Sequence, residues 1–312
     1  MDTVFDRATA VRRGDAAGSG NGRLPTVTFA AEVAPGWRAG RGPHGGYLAA
    51  MLLRALTQTV DDPARTPRSL TVHYPSSPDP GPVAIDVTVE RQGRSLSTLS
   101  ARLSQDGKLM ALALAAFSTP WHAPEADALP MPEVAAPDLE RRNTPRLFTG
   151  APEFTEQLVM QARVGAMPFV GAAHPMEIGG WIALPEPRPL DALSLTLFAD
   201  AWFPPSFIAL SEPAISPTVD LTIHFRQPPP PQEGALDGMC LSLFNTRLLH
   251  EGFFEEDGVI WAPDGSVLLQ SRQLGIIMPT DNPVLVLDTP AAASHATTGA
   301  AVAGESAAST DS

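Results

Sequence analysis

The chain has little with which to be stapled, exported or held on a polyanion. Among 312 residues there is a single cysteine, Cys240, so an internal disulfide is excluded and a thiolate metal cage cannot be assembled. No metal is expected, and a reducing, cytoplasmic location fits. Basic residues are few: 21 Lys and Arg stand against 34 Asp and Glu, a formal net charge of −13. With a pI near 4.9 and no dense Lys/Arg block, the electrostatic footprint of a nucleic-acid or acidic-membrane binder is missing. A local basic pocket for a phosphate-bearing ligand stays compatible with that balance. The longest strongly apolar run, Leu109 to Phe117, is far shorter than the roughly 20 residues of a bilayer-spanning helix. Residues Met1 to Arg7 carry no signal-peptide core. Neither a nucleic-acid nor a membrane partner is expected.

Several catalytic signatures are missing too. No Gly-x-Ser-x-Gly elbow occurs, so the His44-Gly45-Gly46 run lacks the nucleophile that would make it a hydrolase oxyanion loop. There is no Walker loop, no Gly-x-Gly-x-x-Gly after a strand, and no His-Glu-x-x-His among the seven histidines. Phosphate-loop, dinucleotide and zincin readings lose their support.

What is present is a repeat. Ser69-Leu70-Thr71-Val72-His73-Tyr74 is matched by Asp220-Leu221-Thr222-Ile223-His224-Phe225, an offset of 151 residues (220 − 69). Both copies alternate apolar and polar residues, the pattern of a strand with one buried face. A second pair, Asp106-Gly107-Lys108 and Asp264-Gly265-Ser266, has an offset of 158 (264 − 106). The two pairs occur in the same order and describe a duplicated domain. At 44% hydrophobic and 18% charged residues, two domains with sizeable cores are affordable.

Residues 1–22 form an N-terminal segment with a short helix over 1–12 and a Gly-rich break from Gly14 to Gly22. The first domain spans 23–120. It holds a strand from Leu24 to Val33 and a helix from Tyr47 to Val60, whose Leu48, Met51, Leu52, Ala55 and Leu56 fall at helical spacing. Strands follow over Leu70–Tyr74, Val83–Arg91, Ser95–Leu103 and Lys108–Phe117, with Asp106-Gly107 as a hairpin turn. Residues 121–153, rich in Pro, Ala and acids, read as the linker. In the second domain, 154–280, a strand over Phe154–Val164 leads to a Gly-Gly-Trp turn region within Met176–Pro185. Next come a helix within Leu193–Leu210, which should begin near Pro204-Pro205 with Asp200 at its start, and strands over Thr218–Phe225, Met239–Thr246, Leu248–Glu255 and Val267–Met278. Residues 281–312 read as a disordered tail. A strand, a central helix and four antiparallel strands, all occurring twice, predict an α+β fold, a double hotdog.

At this point the residues resemble the acyl-CoA thioesterase II family, over roughly 23–280. Asp200 in Leu197-Phe198-Ala199-Asp200 matches the family's catalytic Asp. Thr218-Val219-Asp220 matches its Thr or Ser followed two residues later by Asp, and Gln273-Leu274-Gly275 matches its Gln-x-Gly. The resemblance implies hydrolysis of acyl-CoA to a carboxylic acid and CoA, with Asp200, Thr218 and Gln273 activating water and no cofactor beyond the CoA of the substrate. A carboxylate can accept the proton of that water, and Thr and Gln can hold its other hydrogen-bonding positions. Helix N-terminal N–H groups can polarise the thioester carbonyl. They come from the second-half helix or from the His44-Gly45-Gly46 turn, the candidate substrate-binding residues.

Nine steps from Asp264 reach Gln273, whereas nine from Asp106 reach Ala115, so one polar site per duplicated chain is expected. Each residue also has a plainer role. Asp200 can be a helix N-cap, and His44 a loop histidine donating one hydrogen bond. His73 and His224 look structural. Strict alternation puts Thr218 on the polar face with Asp220, Thr222 and His224 unless a bulge re-aims it, which makes Asp220 the reserve acid. Gln273 shares its parity with Val267, Leu269 and Ser271, partly apolar company. The Asp200 to Thr218 interval is shorter than is usual in the family, so an acyl-CoA-binding or scaffold protein without turnover is the second reading. A hydratase ranks last, for want of an Asp and His paired on one helix-proximal segment near Asp200. Exposed strand edges leave a homo-oligomer open.

Overall fold

The computed structural model describes residues 2–14, 26–140, 151–171, 174–230 and 238–280. The first half contains α1 (Val4–Ala8), β1 (Val11–Arg13), β2 (Thr26–Val33), α2 (Gly45–Val60), β3 (Thr66–His73), β4 (Gly81–Gln92), β5 (Leu96–Gln105) and β6 (Lys108–Ser118). The second half repeats that order. A 3-10 turn at Glu153–Gln157 precedes β7 (Val159–Gly165) and β8 (Glu177–Ala183). After α3 (Ala192–Phe198) and a second 3-10 turn at Pro205–Ala209 come β9 (Thr218–Phe225), β10 (Cys240–Asn245), β11 (Phe253–Trp261) and β12 (Val267–Ile276).

These twelve strands join one antiparallel sheet in the order β1-β2-β4-β5-β6-β3-β9-β12-β11-β10-β8-β7, with the short Leu249–His250 strand beside β11. Read from the centre outward, the two sides run through equivalent strands. The seam is β3 against β9, the two copies of the repeated stretch, with Thr71 opposite Thr222. This is the double hotdog that the order of elements predicts. Each half wraps its sheet around a helix, and one cluster of buried side chains runs through both.

Helix α2 shows why its sequence carries apolar residues nearly all round. Tyr47 to Leu53, Ala55 and Leu56 are all buried, because the sheet encloses the helix and α3 lies against it. The imidazole of His44 caps its start, accepting from the Tyr47 N–H at 3.2 Å. Trp37 stacks on Tyr47 with centroids 4.8 Å apart, and α1 covers the same end through Phe5. The hairpin between β5 and β6 is the two-residue turn expected of Asp106-Gly107, both at positive φ with Gln105 opposite Lys108.

The expected second-half elements need correction in four places. Residues Glu153–Gln157 form a 3-10 turn, and the first strand begins only at Val159. The Gly-Gly-Trp segment is no turn but the buried strand β8. Its glycines let neighbouring backbones approach: a Cβ on Gly179 would lie 2.2 Å from the Ser242 carbonyl oxygen, and one on Gly180 2.1 Å from that of Gln161. The helix occupies Ala192–Phe198, ahead of the prolines rather than after them. A capping box between Asp191 and Ser194 starts it, and Asp200 follows its C-terminal end. The strand expected to stop at Glu255 instead begins at Phe253, after a hairpin with Glu251 and Gly252 at positive φ, and runs to Trp261.

Residues 121–140 of the linker lie over the outer face of the second half of the sheet. Met131 and Val134 pack on Val159, Trp181, Ala183 and Leu241, which alternate with the inward Ile182 and Cys240. The Trp181 and Trp261 indoles donate to the carbonyls of Ala135 (2.9 Å) and Leu129 (3.0 Å). The expected disordered tail and most of the Gly14–Gly22 break lie outside the described residues. No described helix is long and apolar enough to cross a membrane.

Candidate active site

The loop after α3 places Asp200 against the N-terminus of α2, the helix of the other half. Its Oδ2 accepts the Gly46 N–H at 2.7 Å. His44 Nε2 lies 2.6 Å from the Asp200 carbonyl oxygen and 3.4 Å from Oδ2. Since Nδ1 accepts from Tyr47, the proton of the imidazole sits on Nε2, which donates to Asp200. Both ring nitrogens are therefore committed, and the ring is stacked on Phe154 at 4.1 Å. His44 is a helix cap and an anchor for Asp200, with no lone pair left to act as a base.

Two glycines make this approach possible. A Cβ on Gly46 would stand 2.8 Å from the Leu197 carbonyl oxygen and 3.0 Å from Asp200 Cβ, and one on Gly45 2.8 Å from Asp200 Oδ2. The phenol of Tyr74 closes the turn by donating to the Gly45 carbonyl at 3.0 Å. Among the described residues the Gly45 N–H has no partner, and it belongs to the positive end of a 16-residue helix.

The other two expected residues arrive from the sheet. The register between β9 and β12 shifts between Thr218 and Asp220, and this bulge overturns the parity argument against Thr218. Its Oγ1 donates to Gln273 Oε1 at 3.1 Å. An equivalent shift separates Pro67 from Ser69 between β3 and β6, so the bulge belongs to the repeated backbone. Gln273 is buried opposite the inward Leu221, and its side chain also hydrogen-bonds Asp200. Asp200, Thr218, Gln273, His44, Gly45 and Gly46 thus meet in one place. Asp220 does not: it shares the outer face with Thr222 and His224, away from Leu221 and Ile223.

One further member escaped the sequence. Glu256 on β11 is 4% exposed, and its Oε1 accepts from Gln273 Nε2 at 2.7 Å. The polarity of the cluster stands out against the first half. Gln273 corresponds to Ala115, and Leu99 faces Ala115 as Glu256 faces Gln273. The 151-residue offset sets Pro67 against Thr218, and the position nine residues after the helix cap is Leu53 in one half and Asp200 in the other. Four apolar positions have become four polar ones.

Burial raises the Asp200 carboxyl above its ordinary value, while the His44 ring, the Gly46 N–H and Gln273 favour its anion. Glu256 is raised well above the usual range by burial, and the charges of Asp200 and Asp257 add to this against the hydrogen bond from Gln273. Burial and the Asp200 charge push the Tyr74 phenol up. A carboxylate whose proton affinity is raised by burial, beside a helix N-terminus, is suited to taking a proton from water.

Comparison with known proteins identifies the family and the fold. The acyl-CoA thioesterase N-terminal domain matches residues 33–118, and the acyl-CoA thioesterase C-terminal domain matches residues 126–277. An uncharacterized protein of Mycobacterium tuberculosis is 25% identical over 299 residues, covering 89% of this chain and 99% of its own. A hot dog fold protein of unknown function from Alicyclobacillus acidocaldarius superposes with a TM-score of 0.71 at 25% identity, covering 89% of this chain and 99% of its own. A candidate thioesterase II from Thermobifida fusca gives 0.69 at 25% identity, covering 88% and 97%. With both of its halves matched in order, the chain belongs to the acyl-CoA thioesterase family.

Proposed function

We propose that the protein hydrolyses acyl-CoA thioesters to a carboxylic acid and free CoA through direct attack by water. The observation that carries this reading is the convergence of Asp200, Thr218 and Gln273 on the start of α2, at positions that are Leu53, Pro67 and Ala115 in the other half. Asp200 accepts a proton from the water as it attacks the thioester carbonyl. Thr218 and Gln273 orient that water and the carboxylate. The partnerless Gly45 N–H, at the positive end of α2, receives the negative charge that develops on the carbonyl oxygen. Removing one such donor typically costs about a hundredfold to a thousandfold in rate. When the tetrahedral intermediate collapses, the C–S bond breaks, the CoA thiolate leaves, and the proton held by Asp200 passes to it through solvent. No covalent acyl-enzyme forms, consistent with the absence of a nucleophile elbow.

The test is release of free thiol from a series of acyl-CoA esters, short to long, by the native chain and by Asp200→Asn. Turnover that collapses in the variant while the fold survives is the expected result. Turnover unaffected by Asp200→Asn removes Asp200 from the chemistry. Binding of the esters without thiol release by the native chain marks a non-catalytic acyl-CoA-binding protein.

A further inference from the structure

Glu256 is an expensive residue to bury, and the fold offers a cheaper one. Its counterpart is Leu99, a core side chain of the first half. Its Oε2 is buried and has no hydrogen-bond partner among the described residues, a condition that normally costs stability. On the neighbouring strand Thr246 follows Asn245, which pairs with Asp257, and its Oγ1 is likewise buried without a partner. The bond that Glu256 does make is to Gln273.

We propose that Glu256 is a positioning residue that holds the Gln273 amide in one of its two orientations, and that this deepens the hydrolytic reading given above, on which it rests. A carboxamide has two ends of nearly equal shape and opposite hydrogen-bonding character. An ionised Glu256 accepts only, so it draws Nε2 toward itself and Asp200 and turns Oε1 toward Thr218. Thr218 must then spend its single proton on Gln273, at 3.1 Å, and offers a water nothing but lone pairs. A water beside Asp200 and Thr218 donates both protons to them and keeps a lone pair free for the carbonyl. With the amide reversed, Thr218 would be released to donate to that water, which would then commit one of its two lone pairs to Thr218 and lose the acceptor that holds its second proton.

Proton uptake by Glu256 removes the acceptor-only constraint, so the arrangement is sensitive to pH. The titratable groups acting on Glu256 are Asp200, from the loop after α3, and Asp257, beside it on β11. His44 and Tyr74 bond to Asp200 and Gly45. Two carboxylates must therefore be ionised for turnover, Asp200 as base and Glu256 as anchor.

Glu256→Gln and Glu256→Leu test this, the second installing the first-half residue. Expected for both is a fall in kcat of about a hundredfold, the scale of a small misplacement at a reacting group, with KM within about threefold of the native value. The thermal midpoint of Glu256→Leu at neutral pH should equal or exceed the native one. In the native chain the acid limb of log kcat should approach a slope of two, and in Glu256→Gln a slope of one. Independently of activity, the side-chain NH2 signal of Gln273, assigned by its loss in Gln273→Ala, should titrate with pH in Asp200→Asn, where Glu256 is its remaining carboxyl partner, and stay fixed in the double variant Asp200→Asn/Glu256→Gln. Unchanged kcat and slope in the variants, or a Gln273 signal indifferent to Glu256, overturns the proposal. A native chain that releases no thiol defeats the hydrolytic reading alone, and the NMR titration then decides whether Glu256 orients the amide.

Discussion

Thr71 and Thr222 occupy the same place in the two repeats and face each other across the seam, their hydroxyl oxygens 3.0 Å apart. A residue that meets its own copy marks a two-fold axis. On either side of it the pairs exchange: Asp220 faces His73, and His224 faces Ser69. Two duplicated halves have become one sheet by pairing the strand they share.

That seam makes the halves a cooperative unit together with the common core. Thr71→Val and Thr222→Val should each lower stability by about 0.5–1.5 kcal/mol, the net value of one hydrogen bond. The double variant should cost less than the two singles added, because the second change removes a group already without its partner. Urea unfolding followed by two probes is the measurement, and a single shared transition is expected. Separate transitions for the two halves would contradict a shared core.

Gly45 and Gly46 should respond differently to the same change. In Gly46→Ala the new methyl meets the Leu197 carbonyl oxygen at 2.8 Å, a backbone atom that moves only with α3. Stability should fall by about 1–3 kcal/mol, as overpacking costs elsewhere. In Gly45→Ala the first obstacle is the Asp200 carboxylate itself, a side-chain end. Turnover should drop there with little loss of stability. Unfolding midpoints set beside thiol-release rates distinguish the two, and equal effects of both variants on both readouts would reject the contrast.

Thr218 is placed by a bulge rather than by strand parity, so its role rests on the hydroxyl. Thr218→Ser keeps the donor to Gln273 and should retain turnover within about tenfold. Thr218→Val removes it at nearly equal volume and should cost about a hundredfold or more, the lower range for losing part of a proton-transfer arrangement. Similar rates for the two variants would deny the hydroxyl a part.

How much of this was readable depends on how local the signal is. The alternation in Ser69–Tyr74 and Asp220–Phe225 needs only near neighbours to declare a half-buried strand, and Asp106-Gly107 declares its turn in two residues. Asp200 was legible as a residue but not as a position. Its partner is the start of α2, some 150 residues away in the chain, so an N-cap for the following helix was the nearest local explanation. Gly179-Gly180 read as a turn because glycine's local meaning is freedom, whereas here it grants close approach between strands. Glu256 was hidden within Glu255-Glu256-Asp257, a run of charge that locally means solvent. Only the strand register, setting it against Leu99 of the other half, exposes it as a deliberate exception to an apolar core.

The last prediction concerns pH, where activity and stability should move in opposite directions. The Asp200 carboxyl is raised in the folded chain, chiefly by burial, and Glu256 in the same sense. Between the unfolded range near 4 and these raised values, the folded state holds protons that the unfolded state has lost. Stability from these two groups is therefore highest at low pH and declines as pH rises through the raised values. Asp6, lowered by its bonds to Arg188, Thr3 and Arg54 despite its burial, acts with the opposite sign, so the comparison must be a difference between chains. The native chain minus Asp200→Asn, in unfolding free energy from about pH 4 to about pH 8, should fall with pH. Turnover over the same interval should rise, since the base must be ionised to accept a proton. A difference that stays flat would mean that Asp200 titrates as an ordinary surface carboxylate, and its burial against α2 would then carry no cost for catalysis to exploit.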